Sequence, residues 1–207
     1  MKKNRKIKII EAAQRLIAQK GVDKTSMREI AIEAGITTGA IYYYYDSKEE
    51  LLYDVMDYAT GVTSEIVKMR AQPGAKPDEV LDEIARKITQ RITNNQNWNL
   101  RFYLAQQAAL GDETLRERFA INYAAQMQRT ADLFNFVFDT SSQPEDQYLA
   151  VLMVAALDGI NFQQFIGVLP VDINEMARIY NEFFAYAVPI FQKNLKDTHR
   201  FEGLDAG

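Results

Sequence analysis

The residues of this chain best suited to chemistry lie between Gly21 and Leu52, in the run GVDKTSMREIAIEAGITTGAIYYYYDSKEELL. Ser26, Thr37 and Thr38 are hydroxyl residues placed where helical patterns begin. At a helix N-terminus, free backbone N–H groups and a side-chain hydroxyl together can hold a phosphate oxygen. Gly39 and Ala40 keep the next turn small, so that its backbone can approach a surface closely. Tyr42, Tyr43 and Tyr44 offer phenol groups over most of a helical turn, and Lys48 opens the following helix with a positive charge. Hydroxyls, phenols, small residues and a lysine suit the chemistry of a nucleic-acid duplex.

The same sequence argues against catalysis. Cysteine is absent, which excludes disulfides and thiolate metal sites. The single histidine, His199, stands near the C-terminus, so a Ser-His or Cys-His pair would depend on one residue in a tail. No metal-ligand spacing, phosphate-cradling glycine loop or catalytic carboxylate pair stands out. Asp82-Glu83 and Asp112-Glu113 read as surface and helix-start charges. The expectation is a protein that is not an enzyme and carries no metal or cofactor. No run of eighteen apolar residues occurs, and the opening MKKNRKIKII is too polar for the core of a signal peptide. These features lead us to expect a cytoplasmic protein without a membrane partner.

Charge is unevenly spread. Residues 1–48 hold ten Lys/Arg against five Asp/Glu, whereas residues 49–207 hold fourteen against twenty-three. A basic head on an acidic body suits a head that meets phosphates, although a solubilising basic tail would give the same balance. With 47% hydrophobic residues in 207, the chain can bury a sizeable core.

Helical periodicity runs almost throughout, and an all-α fold is expected. Ile9, Ala12, Ala13, Leu16 and Ile17 share one face of a first helix, which Gly21 ends. A second helix opens at Ser26 with Glu29 as its capping-box partner, and buries Ile30, Ala31 and Ala34 before Gly35 breaks it. A third, short helix starts at Thr37 or Thr38 and runs through the tyrosines 42–45. Ser47-Lys48-Glu49-Glu50 is a second capping box and opens a longer fourth helix. After the break at Pro73–Pro77, helices are expected over about 78–93, 98–109, 113–138, 145–167 and 171–195, with Pro189 a kink in the last.

Two short capped helices joined by a tight turn at Gly35, with Ile36 plugging the angle between them, form a helix-turn-helix. In that motif the second helix enters the major groove of DNA and the first crosses the backbone. On such a helix Thr38, Ala40 and Tyr43 lie nearest the bases, while Tyr42 and Lys48 flank the phosphates. The stretch resembles the DNA-binding domain of the tetracycline-repressor (TetR) family. The resemblance rests on Gly21, Thr25-Ser26, Met27-Arg28-Glu29-Ile30-Ala31, Ala34-Gly35-Ile36, Gly39, Ile41 through Tyr45, and Ser47-Lys48-Glu49-Glu50-Leu51. Tyr45 departs from the pattern, because the family usually has a buried Phe there, and a Tyr needs a partner for its hydroxyl.

The resemblance implies a helix-turn-helix domain over residues 1–47 and a helical ligand-binding and dimerisation domain over 48–207. It also implies a homodimer, operator DNA as partner, a small-molecule effector and repression of nearby genes. Ser26 and Arg28 would touch the DNA backbone or a base edge. Thr37, Thr38, Gly39, Ala40, Tyr42, Tyr43 and Tyr44 would belong to the reading helix, and Lys48 would bind phosphate. Ser26 serves equally as a cap alone, and Arg28 as a solvated charge. An alternative from another class is a helical small-molecule-binding protein or enzyme with a vestigial DNA-binding head.

The body is less specific. Residues 53–207 hold nineteen of the twenty-three aromatic residues. Rings and uncharged polar groups come together in Trp98, Phe102, Tyr103, Tyr123, Gln126, Met127, Asn161, Phe162 and Phe165. This mixture is expected to line a cavity for a mainly apolar, aromatic or lipophilic effector. The same groups could instead be core rings and amides bonded to backbone. The helices over 145–168 and 171–195 are expected to pair two copies, because the first is apolar nearly all round and the second has a wide aromatic face.

Overall fold

The computed structural model describes residues 2–59, 62–94, 98–140 and 144–194. His199 and the loop serines 141–142 lie outside them. The described residues form helices α1 (Lys2–Lys20), α2 (Met27–Glu33), α3 (Thr38–Tyr42), α4 (Lys48–Ala59), α5 (Val62–Arg70), α6 (Pro77–Thr93), α7 (Trp98–Ala109), α8 (Glu113–Val137), α9 (Asp146–Phe165) and α10 (Ile173–Asn194). No strand occurs among the described residues, so the expected all-α class holds.

One expectation needs correction. The third helix does not run through all four tyrosines, because its α-helical stretch ends at Tyr42 and residues 43–44 form a turn. Aromatic side chains lose rotamer freedom in a helix, so four in succession do little to extend one. The expected longer fourth helix opens at Lys48 as α4.

The chain divides into two compact units. The first comprises Met1–Glu65, Asn94–Gln126 and Asn161–Val168. Its core is built on the apolar face of α1, where Ile9, Ala12, Ala13 and Ile17 are buried together with Ile30 and Ala31 of α2, Ile41 of α3 and Leu51 and Val55 of α4. Leu100, Leu104 and Ala108 of α7 belong to the same cluster. The second unit comprises Ile66–Thr93, Met127–Ile160 and Leu169–Gly207. There Ile92, Phe134, Ala150, Met153, Leu157, Ala177, Tyr180 and Val188 form one core, and Ile66, Val80 and Leu133 a smaller one.

Within the second unit, α9 and α10 are two-faced. Ala150, Met153, Val154 and Leu157 are buried, while Tyr148, Val151 and Leu152 on the same helix are exposed. On α10, Ala177, Tyr180 and Val188 face the core, whereas Ile179, Phe183, Tyr186 and Ile190 follow one another at helical spacing in the open.

Candidate nucleic-acid interface

The geometry of the head starts with its caps. Ser26 Oγ accepts from the N–H of Glu29, and a Glu29 carboxylate oxygen accepts from the N–H of Ser26 at 2.9 Å. The expected capping box is therefore complete. Lys20, at the end of α1, pairs with the same carboxylate. Its ammonium, followed by the Ser26 hydroxyl and N–H, holds the Glu29 carboxyl well below the usual range, at about 2. A second ion pair, Arg15 with Glu33 at 2.9 Å, also ties α1 to α2.

The turn between α2 and α3 depends on Gly35. Its φ of +69° lies in the left-handed region that L side chains avoid. This conformation lets the N–H of Ile36 reach the carbonyl of Ala31 at 2.9 Å and carries Ile36 against the core. Thr37 then caps α3, its Oγ1 accepting from the N–H of Ala40 at 3.1 Å. Ile41 is buried beneath, so the opposite side of α3 faces outward.

Most of the sequence-derived candidates stand in the open. Ser26, Arg28, Thr37, Thr38, Gly39, Tyr42 and Tyr43 are exposed, with Tyr43 at 67% the most open of tyrosines 42–45. Ala40, Tyr44 and Lys48 are half-buried. The Tyr44 ring meets Tyr43 edge to face at 5.2 Å. Lys48 Nζ donates to the carbonyl of Val22 at 2.6 Å, which fixes the start of α4 to the segment that follows α1. An ammonium has three donors, so this bond leaves two for other acceptors. The capping box expected at Ser47 is only half formed. Ser47 Oγ accepts from the N–H of Glu50, but Glu50 reaches the N–H of Asp46 instead, at 2.8 Å. The result is a short, capped helix with a hydroxyl, a small residue and phenols outward and a lysine at its flank. Hydroxyls, phenols and an ammonium are groups that can bond phosphate oxygens.

The family model described as "Bacterial regulatory proteins, tetR family" matches residues 9–55, the segment that carries these caps and the turn. Residues 9–55 are thus a tetR-family segment. One relative is YerO of Bacillus subtilis (strain 168), described as an uncharacterized HTH-type transcriptional regulator. It is 30% identical over 179 residues, which are 84% of this chain and 61% of YerO. The chain thus spans less than two thirds of that relative's length. Among solved structures, a TetR transcription regulator from Haloarcula marismortui has a TM-score of 0.69 at 18% identity, covering 88% of this chain and 95% of that one. A putative transcriptional regulator from Saccharomonospora viridis in complex with choline has a TM-score of 0.68 at 19% identity, covering 90% and 97%. These two likenesses show the fold alone.

Where the segment departs from the motif, at Tyr45, the ring is buried and its hydroxyl bonds Asp54 Oδ2 at 3.1 Å. The polar partner that a buried Tyr requires is thereby supplied from α4. Asp54 gave no signal in the motif, although it stands in sequence two helical turns into α4.

The body candidates separate into three groups. Phe102 collects its neighbours, with ring centroids at 5.4 Å from Trp98, 5.2 Å from Phe162 and 5.1 Å from Phe165. Tyr123 is joined to this end of α7 by Arg101, whose guanidinium donates to the Tyr123 hydroxyl at 2.7 Å and lies 5.6 Å from the Trp98 ring centroid. Tyr103, in contrast, packs on the head's core, and Met127 on the core of the second unit. Gln126 is half-buried and Asn161 fully buried. The expected cavity lining of nine residues does not include Arg101 or Gln164. The Gln164 Oε1 atom is buried without a hydrogen-bond partner. Its signal was an amide in an otherwise apolar helix, three residues after Asn161.

Among the described residues, no cluster of His, Asp and Glu side chains could hold a metal ion, and no helix is long and apolar enough to cross a membrane.

Proposed function

We propose that the chain is a homodimeric transcriptional regulator that binds operator DNA through α3 and is released by a small molecule. In this reading residues 1–47 are the reading head and residues 48–207 bind the effector and the second copy. The observation that carries it is the outward face of α3 and its flank. Thr38, Gly39, Tyr42 and Tyr43 are exposed on a helix that capping and the Gly35 turn hold rigidly. Thr38, Ala40 and Tyr43 would lie nearest the bases, while Tyr42, Lys48 and the N-terminus of α2 with Ser26 and Arg28 flank the phosphates.

The apolar residues left open on α9 and α10 support a second copy as partner. Leu152 and Phe183 are 62% and 61% exposed, and their helical neighbours extend each stripe. A contiguous apolar surface of this kind favours burial against another chain. The aromatic group around Phe102, with the buried and unpartnered Gln164 oxygen in the same unit, supports an effector that is mainly apolar and carries a hydrogen-bond donor. The effector would release DNA by favouring a dimer whose heads no longer match half-sites one helical turn, or a multiple, apart.

Fluorescence anisotropy on duplexes recovered from a genome-wide binding map tests the proposal. Affinity should fall steeply and linearly on a log–log plot against salt, and one duplex should be preferred over scrambled sequence by about 10³-fold or more. A flat salt dependence, or equal affinity for every duplex, overturns it.

A further inference from the structure

Within the second unit, α6, α8 and α10 leave a cavity of about 230 Å³. Ile84 and Ile88 of α6, Phe134 and Val137 of α8, and Tyr180 and Phe184 of α10 make its wall apolar. The Tyr180 hydroxyl is already engaged, because it donates to the Met153 carbonyl at 2.7 Å. Two further residues on the wall supply acceptors. Asn181 Nδ2 donates to the Ala85 carbonyl at 3.1 Å and to Thr89 Oγ1 at 2.9 Å. The donor end of that amide is thus fixed, and its carbonyl oxygen remains as an acceptor. One turn further along α10, Ala185 lines the same cavity. Its backbone carbonyl lacks the usual helical donor, because Pro189 stands four residues on and has no N–H. Asp82 and Glu182, both exposed, stand at the rim, and Glu182 is paired with Arg178 at 2.7 Å.

We propose that this cavity is a small-molecule site for an uncharged, planar, mainly apolar ligand with one hydrogen-bond donor. Size sets the first limit. An apolar cavity of about 150 Å³ accepts benzene, so this one suits a fused bicycle. Hydrogen bonding sets the second. The Asn181 and Ala185 carbonyls call for a donor, and leaving such groups unmet when the ligand displaces water is costly. Charge sets the third. Asp82 at the rim and the apolar wall both disfavour an anion. None of the lining residues belongs to the aromatic group around Phe102, so this site does not depend on the effector site proposed above.

Indole is a suitable probe, being a fused bicycle with a single N–H. Indene has the same shape without the donor, and indole-3-carboxylate adds a negative charge. Each is titrated into the full chain by calorimetry, with thermal unfolding as a second readout. Indole should bind and raise the unfolding temperature by mass action, and the other two should bind at least about tenfold more weakly. Ala185→Leu fills the space and should weaken indole binding at least about tenfold while circular dichroism stays native. Ala85→Leu fills it from α6 and serves where the first variant does not fold. Gln164→Leu, in the other unit, should leave unchanged the indole-binding event that Ala185→Leu removes. The proposal is overturned if indole does not bind, if indene binds equally well, or if binding survives the folded cavity-filling variant but not Gln164→Leu.

Discussion

Tyr45 and Asp54 are joined by a hydrogen bond of 3.1 Å, which ties the segment after the reading helix to α4. Lys6 of α1 reaches the same carboxylate oxygen at 2.6 Å, and its ammonium lies 5.2 Å from the Tyr45 ring centroid. Three elements of the head therefore meet at one carboxylate. Burial first, and the neighbouring Asp54 second, push the Tyr45 phenol far above its ordinary pKa, so it remains a donor.

Removing only the hydroxyl should cost little. Tyr45→Phe leaves Asp54 paired with Lys6 and is expected to lower stability by about 0.5–1.5 kcal/mol. Tyr45→Ala also removes the buried ring and should cost about 3–5 kcal/mol. Urea unfolding of both variants measures the difference. Equal losses would mean that the hydroxyl, and not the ring, carries the site.

Lys48 has one partner inside the head and is proposed to have another on DNA. Lys48→Ala should weaken binding to all duplexes alike and reduce the salt slope by about one unit. If the lysine served only the Val22 carbonyl, affinity would fall with the slope unchanged. Tyr42→Phe keeps the ring and removes the phenol, so an unaltered affinity would exclude Tyr42 as a phosphate anchor.

The Glu29 carboxyl has a defined acid response. Its pKa in the folded chain is about 2, below the ordinary 4.5, because of Lys20 first and Ser26 second. A depressed carboxylate contributes stability that is fully present above the ordinary pKa. That contribution fades as pH falls from about 4.5 toward 2. Carboxyl carbon shifts followed by NMR should show Glu29 titrating well below 4.5, and Lys20→Met should move its midpoint upward. A midpoint near 4.5 in the unsubstituted chain would remove the Lys20–Glu29–Ser26 network from the account.

The apolar stripes on α9 and α10 give a test of assembly. Leu152→Arg and Phe183→Arg each change an exposed side chain, so the helices should stay folded while sedimentation reports a monomer. Phe184 packs instead against the core, its ring 4.7 Å from Tyr180. Phe184→Ala should lower the unfolding temperature. Wild-type chain that sediments as a monomer at micromolar concentration would refute the dimer.

The head was legible because local rules decide it. Caps, a left-handed glycine and apolar spacing all act within a few residues, and each left its mark between Gly21 and Leu51. The body was legible only as helices. Whether Tyr103 faces the head core or Trp98, and whether Met127 serves a pocket or the second unit's core, depends on distant packing that periodicity does not encode. The same holds for Asp54, an unremarked helix charge until Tyr45 is brought within reach.

In the head, two kinds of residue stand side by side. Ser26, Thr37 and Lys48 each hold a backbone group in place. Arg28, Thr38 and Tyr42 are exposed beside them, and α3 is capped without their help. The second set can therefore vary with little penalty to folding, whereas the first cannot. Over evolutionary time such a head can drift to new operators by exchanging the free set, keeping one scaffold for many addresses.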